Sequence, residues 1–377
     1  MIDKEIIILL ALAALTSYAL SHLYRRLAIQ RGILASVNNR SAHDVPTPTG
    51  SGIVLLLVFL LSLIVLSLWE PVASDISFAC WGPLIVGIVG YMDDRSELPV
   101  RARLPVYILT ASWCVYWVGF PSINIGGAIL DLGYVGLVLG AISILWLQNL
   151  FNFMDGIDGI AASEVVFASF SAAVLFAWSD GLPGDWLIIN LLTGCIAAGY
   201  LIINWPKAKL FMGDAGANFF GLMLGVLILS GEIVSVWTWL ILLSRFIIDT
   251  CLTISIRLIN RENIHQPHAQ HAYQHLNRRF GTTKTLLTTI SINIVWLLPL
   301  AALSAQFPDL ALILLICAAL PIAVKDWLCG AGVDAPRWKY LDAAAKTPPS
   351  PRKRRSDDSG PIPRSVIKHV DPGSSRG

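Results

Sequence analysis

Four short polar clusters interrupt an otherwise apolar chain of 377 residues, and their residue types point to chemistry on an anion. Three are acidic: Tyr91-Met-Asp-Asp-Arg95, Asn149-Leu-Phe-Asn-Phe-Met-Asp-Gly-Ile-Asp158 and Phe211-Met-Gly-Asp-Ala-Gly216. The fourth is His265-Gln-Pro-His-Ala-Gln-His-Ala-Tyr-Gln-His275. Adjacent carboxylates repel each other, so Asp93 and Asp94 attract a cation; a solvated turn paired with Arg95 would also account for them. In the second cluster a glycine follows each of Asp155 and Asp158, allowing a tight turn that gathers two carboxylates with the amides of Asn149 and Asn152. Oxygen donors of this kind suit Mg²⁺, with Mn²⁺ as a substitute; Asp side chains satisfied within their own turn are the plainer reading. Asp214 lies among small residues just before an apolar span, where a helix N-terminus favours either a phosphate or a capping carboxylate. Pro267 fits a first helical position, which would put His268, His271 and His275 at i, i+3 and i+7 on one face. With no Glu or Cys interleaved, zinc is not indicated. Imidazoles beside phosphate compete there with a simple interfacial helix.

The elements that must position these clusters are membrane spans. The chain is 55% hydrophobic and 14% charged, with mean hydropathy +0.66 and 13 Trp, beyond what a soluble domain tolerates. Apolar stretches run over residues 6–23, 53–69, 78–92, 104–120, 132–147, 160–178, 187–203, 217–229, 236–256, 286–303 and 310–324. Most approach the roughly 20 residues a helix needs to cross a bilayer. The fold class expected is an all-α polytopic bundle of about eleven transmembrane helices with its active site at the cytosolic face. The stretches at 78–92 and 217–229 are short and run into Asp93 and Asp214, so they are expected to end at a water-filled cavity.

Lys and Arg fall only in alternate gaps: Arg25, Arg26, Arg31 and Arg40, then Arg95, Arg101 and Arg103, then Lys207 and Lys209, then Arg261, Arg278, Arg279 and Lys284. The positive-inside rule makes that set cytosolic, with the N-terminus outside and the C-terminus inside. The first stretch lacks a basic start and a small-residue cleavage site and reads as a retained helix. Six scattered Cys give neither a disulfide framework nor a zinc site. The net charge of +2 is explained by topology, and no nucleic-acid partner is expected. Residues 1–328 are expected to form the catalytic membrane domain. Residues 329–377, with the basic run Pro348-Pro-Ser-Pro-Arg-Lys-Arg-Arg355, read as a disordered cytosolic tail near membrane lipid. Within 236–256, Arg245 and Asp249 stand one turn apart and are expected to neutralise each other.

In this order the clusters resemble the polyprenyl-phosphate N-acetylhexosamine-1-phosphate transferases of glycosyltransferase family 4. The resemblance covers about residues 31–280. It begins in the first cytosolic loop, Arg40-Ser-Ala-His-Asp-Val-Pro-Thr-Pro-Thr49, similar to R-S-x-H-x-x-P-T-P-R-G-G-G, and continues through Asp93-Asp94, the Asn152 to Gly159 cluster, and Asn204 ahead of Phe211-Met-Gly-Asp. His268-x-x-His271-x-Tyr273-Gln274 looks like the form found in O-antigen-initiating members. Two departures stand out: Thr49 where many relatives have Arg, and Gly50-Ser51-Gly52 for three glycines.

The resemblance implies transfer of an N-acetylhexosamine 1-phosphate from a UDP-sugar to undecaprenyl phosphate at a bacterial inner membrane, initiating O-antigen or other envelope polysaccharide synthesis. It implies Asp214, Asp155 and Asp158 as Mg²⁺ ligands, Asp93 or Asp94 on the lipid phosphate, and His268 and His271 beside the phosphates. Asn149, Asn152 and Asn204, with Arg40 and His43 of the first loop, are implied in substrate binding, and a homodimer is compatible with it. The rival class is a cation-coupled secondary transporter, whose acids belong near the midplane and not at one face. A CDP-alcohol phosphatidyltransferase is excluded because Asp158-Gly-Ile-Ala-Ala-Ser163 lacks that family's Arg and downstream acids.

Overall fold

The computed structural model describes residues 3–35, 46–69, 72–96, 98–179, 184–263, 266 and 268–338, all within one compact unit, Met1–Lys339. Helices dominate: α1 (Lys4–Gln30), α2 (Gly52–Trp69), α3 (Ser74–Ser96), α4 (Val100–Val118), α5 (Gly133–Met154), α6 (Ile160–Trp178), α7 (Asp185–Asn204) and α8 (Gly213–Ser230). They continue as α9 (Val236–Leu242), α10 (Ser244–Ile259), α11 (Ala272–Phe280), α12 (Thr282–Ile292), α13 (Leu298–Gln306) and α14 (Ala311–Cys329). Two short antiparallel pairs complete the inventory: β1 (Leu34–Ala35) with β2 (Thr47–Pro48), and β3 (Ile123–Ile125) with β4 (Ala128–Leu130). Helices suit an apolar solvent because each satisfies its own backbone polar groups.

Among the described residues nine helical segments are long and apolar enough to cross a membrane, and ten if the bent pair α9 and α10 counts as one. The expectation of about eleven differs by α4, whose first turns carry Arg101 and Arg103 and lower its hydropathy. α4 begins beside the acidic clusters, through Arg103, and α5 returns to them at Asp155, so α4 must lead away from that end and α5 back. The stretch expected as one span over 236–256 is broken at Leu243 by a 78° bend. α12 and α13 form one span interrupted by a π-helical turn, Asn293–Leu297, just ahead of Pro299, which cannot donate to the carbonyl four residues earlier.

The core is centred on α8. Every residue from Ala215 to Leu229 is buried, enclosed chiefly by α3 and α5, with α2, α4 and α7 beside them. α12, the π-helical turn after it and α14, by contrast, present Leu287, Ile294, Ile313 and Ile316 outward, as lipid-facing helices should. At the end of the bundle away from the acids, the β3–β4 hairpin is tied down by the Trp237 indole N–H on the Asn124 carbonyl at 2.6 Å.

Of the residues expected as a tail from 329, those up to Trp338 are described. Beyond Cys329 the chain turns through Gly330 and Gly332 and packs against the histidine segment as far as Trp338, while the remainder lies outside the described residues.

Candidate active site at the ends of α3, α5, α7 and α8

Asp94, in the last turn of α3, lays its carboxylate across the first amides of α8. Its Oδ1 accepts from the Asp214 N–H at 2.9 Å and its Oδ2 from the Ala215 N–H at 3.2 Å. Asp94 is therefore a helix cap supplied from a neighbouring helix, satisfying donors that α8 cannot pair internally. Gly213 makes the approach feasible: its φ is +68°, and a Cβ there would strike the Asp94 carboxylate. Asp94, and not Asp214, is the cap of α8, and both of its oxygens accept from the first amides of that helix.

Asp93 keeps a different set of partners. Its Oδ1 accepts from the Leu98 N–H at 2.6 Å, and its Oδ2 pairs with the Arg103 guanidinium from the start of α4. The same Arg103 nitrogen stands 3.6 Å from Asp214 Oδ2, and the Asn152 side chain hydrogen-bonds Asp214 from α5. Asp93, Arg103, Asp214 and Asn152 thus form one polar constellation contributed by four helices. Arg103 entered the sequence reading only as a topology signal. Its position at the start of the helix after the Asp-Asp pair was the available clue.

Asp155 follows the last turn of α5 and is half-buried. Burial, then the charges of Asp214, Asp94 and Asp158, push its carboxyl well above the usual carboxylate range. Asp158 is turned elsewhere, its Oδ2 accepting from the Ala208 N–H at 3.0 Å. Asn204 is buried and braces the same two loops: Oδ1 accepts from the Gly159 N–H at 3.0 Å and Nδ2 donates to the Leu210 carbonyl at 2.9 Å. Asn149 donates to the Leu145 carbonyl of its own helix at 2.7 Å. Of the three asparagines expected on the nucleotide, Asn152 alone joins the acids through its side chain; Asn204 lies beneath the site as a strut.

Among the described residues no three His, Cys, Asp or Glu side chains are grouped to ligate one ion. Asp158, expected with Asp214 and Asp155 as a ligand, turns its Oδ2 to the Ala208 N–H. Asp155 feels the charge of Asp214 more than that of Asp158. Mg²⁺ retains water and takes one or two carboxylates plus substrate phosphates, and Asp155 with Asp214 supplies that donor set. The repulsion felt by Asp155 is what such a cation would relieve.

The histidine segment departs from the expected geometry. α11 begins at Ala272, and His271 is its N-cap residue with φ −68° and ψ 147°, its N–H donating to Gln274 Oε1 at 3.1 Å. His268 precedes the helix, so the three imidazoles do not share a helical face; Pro267 lies outside the described residues. The rings of His268 and His271 stack with centroids 5.0 Å apart. His271 Nδ1 lies 3.3 Å from Asp249 Oδ1, and the carboxylate of Asp249 also accepts from the Ala272 N–H at 2.9 Å and the Tyr273 N–H at 3.0 Å. The expected pairing of Arg245 with Asp249 is present at 3.3 Å. His275 turns to the chain beyond α14, its Nε2 meeting the Val333 carbonyl at 2.9 Å, and burial lowers its pKa.

Tyr273 links this segment to the acids. Its hydroxyl donates to the Phe153 carbonyl at 3.0 Å and occupies the space that a side chain at 156 would fill, so Gly156 is required there for close approach. The first loop is joined to the site from the other side. The Phe211 N–H donates to the Pro48 carbonyl at 2.9 Å, and Ser51 donates from its Oγ to the Phe211 carbonyl at 2.9 Å. Ser51, a departure from the glycine pattern, thereby fastens the loop that carries Asp214. Arg40 and His43 lie outside the described residues.

Comparison with known proteins agrees with this arrangement. Residues 77–232, which carry all three acidic clusters, match the model of glycosyl transferase family 4. A probable undecaprenyl-phosphate N-acetylglucosaminyl 1-phosphate transferase of Bacillus subtilis (strain 168) is 27% identical over 289 residues, 73% of this chain and 79% of that protein. A decaprenyl-phosphate N-acetylglucosaminephosphotransferase of Mycolicibacterium smegmatis is 28% identical over 245 residues, 59% of each chain. A phospho-N-acetylmuramoyl-pentapeptide-transferase of Streptococcus agalactiae is 30% identical over 222 residues, 54% of this chain and 65% of that one. With its acidic clusters meeting at one end of a membrane bundle, the chain is similar to glycosyl transferase family 4 over residues 77–232.

Proposed function

We propose that the protein transfers an N-acetylhexosamine 1-phosphate, with N-acetylglucosamine as the first candidate sugar, from its UDP derivative to a polyprenyl phosphate. The observation that carries this reading is the constellation of Asp93, Arg103, Asp214 and Asn152 at one end of the bundle, next to Asp155. A phosphate oxygen of the lipid attacks the β-phosphorus of the UDP-sugar. The new P–O bond forms as the anhydride bond to UMP breaks, leaving UMP and a polyprenyl-diphospho-sugar. The nucleophile is largely dianionic at neutral pH, since the second phosphate pKa is about 6, so no strong base is needed. The difficulty is bringing two anions together in line.

Arg103 supplies fixed positive charge at the acids, and Asp214 and Asp155 would hold Mg²⁺, which when bound neutralises the phosphates. Asp93 orients Arg103, while His268 and His271 approach the phosphates from the histidine segment. Asp94, Asn204, Asp158 and Tyr273 keep the loops in register. The lysine and arginine pattern supports a cytosolic site, an external N-terminus and a cytosolic C-terminus in a bacterial cytoplasmic membrane. Such a reaction would begin assembly of an envelope glycan on its lipid carrier. The transporter reading loses ground because the acids gather at helix ends. Purified protein incubated with undecaprenyl phosphate, Mg²⁺ and a panel of UDP-N-acetyl sugars tests the proposal. UMP release with at least one sugar is expected, and silence across the panel would reject it.

A further inference from the structure

The end of α14 reaches the histidine segment by two independent routes, and neither belongs to the matched residues 77–232. The first is a buried chain of charge. Asp326 Oδ2 accepts from Arg245 Nη1 at 2.9 Å, Arg245 Nη2 donates to Asp249 Oδ2 at 3.3 Å, and Asp249 holds His271 and the first amides of α11. Arg245, Asp249 and Asp326 are each 0% exposed. Lys325 closes the chain with its Nζ 3.0 Å from Asp326 Oδ1. Charged groups inside a membrane protein are expensive and persist where they are paired and used. This chain ends on a proposed active-site imidazole.

The second route is the turn after α14. The Gly332 N–H donates to the Gln270 carbonyl at 2.9 Å, Gln270 Nε2 donates to Asp334 Oδ1 at 2.8 Å, and the Val333 carbonyl meets His275 Nε2 at 2.9 Å. Gly332 has φ +72°, and a Cβ there would stand 2.6 Å from the Ile256 Cβ, so the turn fits only as glycine. Gln270 and His275 flank His271 on both sides. The cap of α11 ties His271 only to Gln274 of the same helix; both routes add ties from α10 and α14.

We infer that α14 and its extension are a clamp that positions the histidine segment for the transfer reaction, with Asp326, Arg245 and Gly332 as positioning residues. The inference rests on the phosphotransferase reading for its activity arm and on the structure alone for its exchange arm. Asp326→Asn and Gly332→Ala are each predicted to speed hydrogen exchange over 268–280 by about tenfold or more and to leave exchange at the ends of α3 and α5 unchanged. They should lower kcat for UMP release about a hundredfold with little change in KM for the UDP-sugar.

A third variant separates positioning from general stability. Replacing the charges beyond Asp249 together, Lys325→Met, Arg245→Met and Asp326→Leu, leaves Asp249 its two α11 amides and His271 and should restore the melting temperature relative to Asp326→Asn while kcat stays low. Recovery of kcat together with stability would overturn the clamp, as would unchanged exchange over 268–280 in both single variants. If the unsubstituted protein releases no UMP, the phosphotransferase reading fails and exchange alone judges the clamp.

Discussion

Gly213→Ala adds one methyl group at the junction on which the candidate site depends. Residue 213 has φ +68°, and the added Cβ would meet the carboxylate of Asp94, which accepts from two α8 amides. The left-handed backbone costs a residue with a Cβ about 1–2 kcal/mol, and loss of a capping carboxylate costs about 0.5–2 kcal/mol. The sum, about 1.5–4 kcal/mol, should appear as a lower melting temperature in detergent. Turnover should fall as well, because Asp214 begins the same turn and loses its alignment with Arg103 and Asn152. Asp94→Ala should reproduce both losses. Since the two substitutions break one contact, the double variant should be little worse than Gly213→Ala alone. Wild-type melting and UMP release by Gly213→Ala would refute the reasoning, and so would a double variant whose losses are the product of the two.

Asp214→Asn should lower turnover about a hundredfold or more, and excess EDTA should stop the unsubstituted enzyme; full turnover in either experiment removes Asp214 from a metal site. His268→Ala and His271→Ala should each lower kcat about a hundredfold in folded protein, while His275→Ala, which removes only the Val333 contact of the clamp, should lower it less; equal loss of kcat from all three would mean that the matched pair is not the functional unit. A membrane-impermeant thiol reagent should label Ser74→Cys from outside intact cells and leave Thr283→Cys untouched, since the basic gaps are expected to be cytosolic; the reverse pattern would invert the topology.

Among the described residues, hydropathy located each helix long and apolar enough to cross a membrane, because burial in lipid demands long apolar runs whatever the tertiary contacts. The bend at Leu243 was invisible to it, since residues 236–259 contain neither Pro nor Gly to mark a break. Residue chemistry singled out the clusters but not the partners within them. Asp93 and Asp94 are adjacent in sequence and identical in type, yet one meets a guanidinium and the other caps α8. Such partners are set by long-range packing: Asp94 and Asp214 are separated by 120 residues. The histidine spacing suggested one helical face because i, i+3 and i+7 is helical arithmetic, but His271 is itself the cap. Arg103 and Asp326 were legible only as charges, because what each one touches comes from another helix.

The central claim is that the phosphorus atom travels with the sugar. UDP-N-acetylglucosamine radiolabelled at its β-phosphorus, supplied with undecaprenyl phosphate and Mg²⁺ to the purified protein, tests this directly. The account predicts that label moves into the lipid fraction in step with the release of unlabelled UMP. Label remaining in released UDP while the sugar moves to lipid would contradict it, because the site would then be breaking the glycosidic bond and not the anhydride.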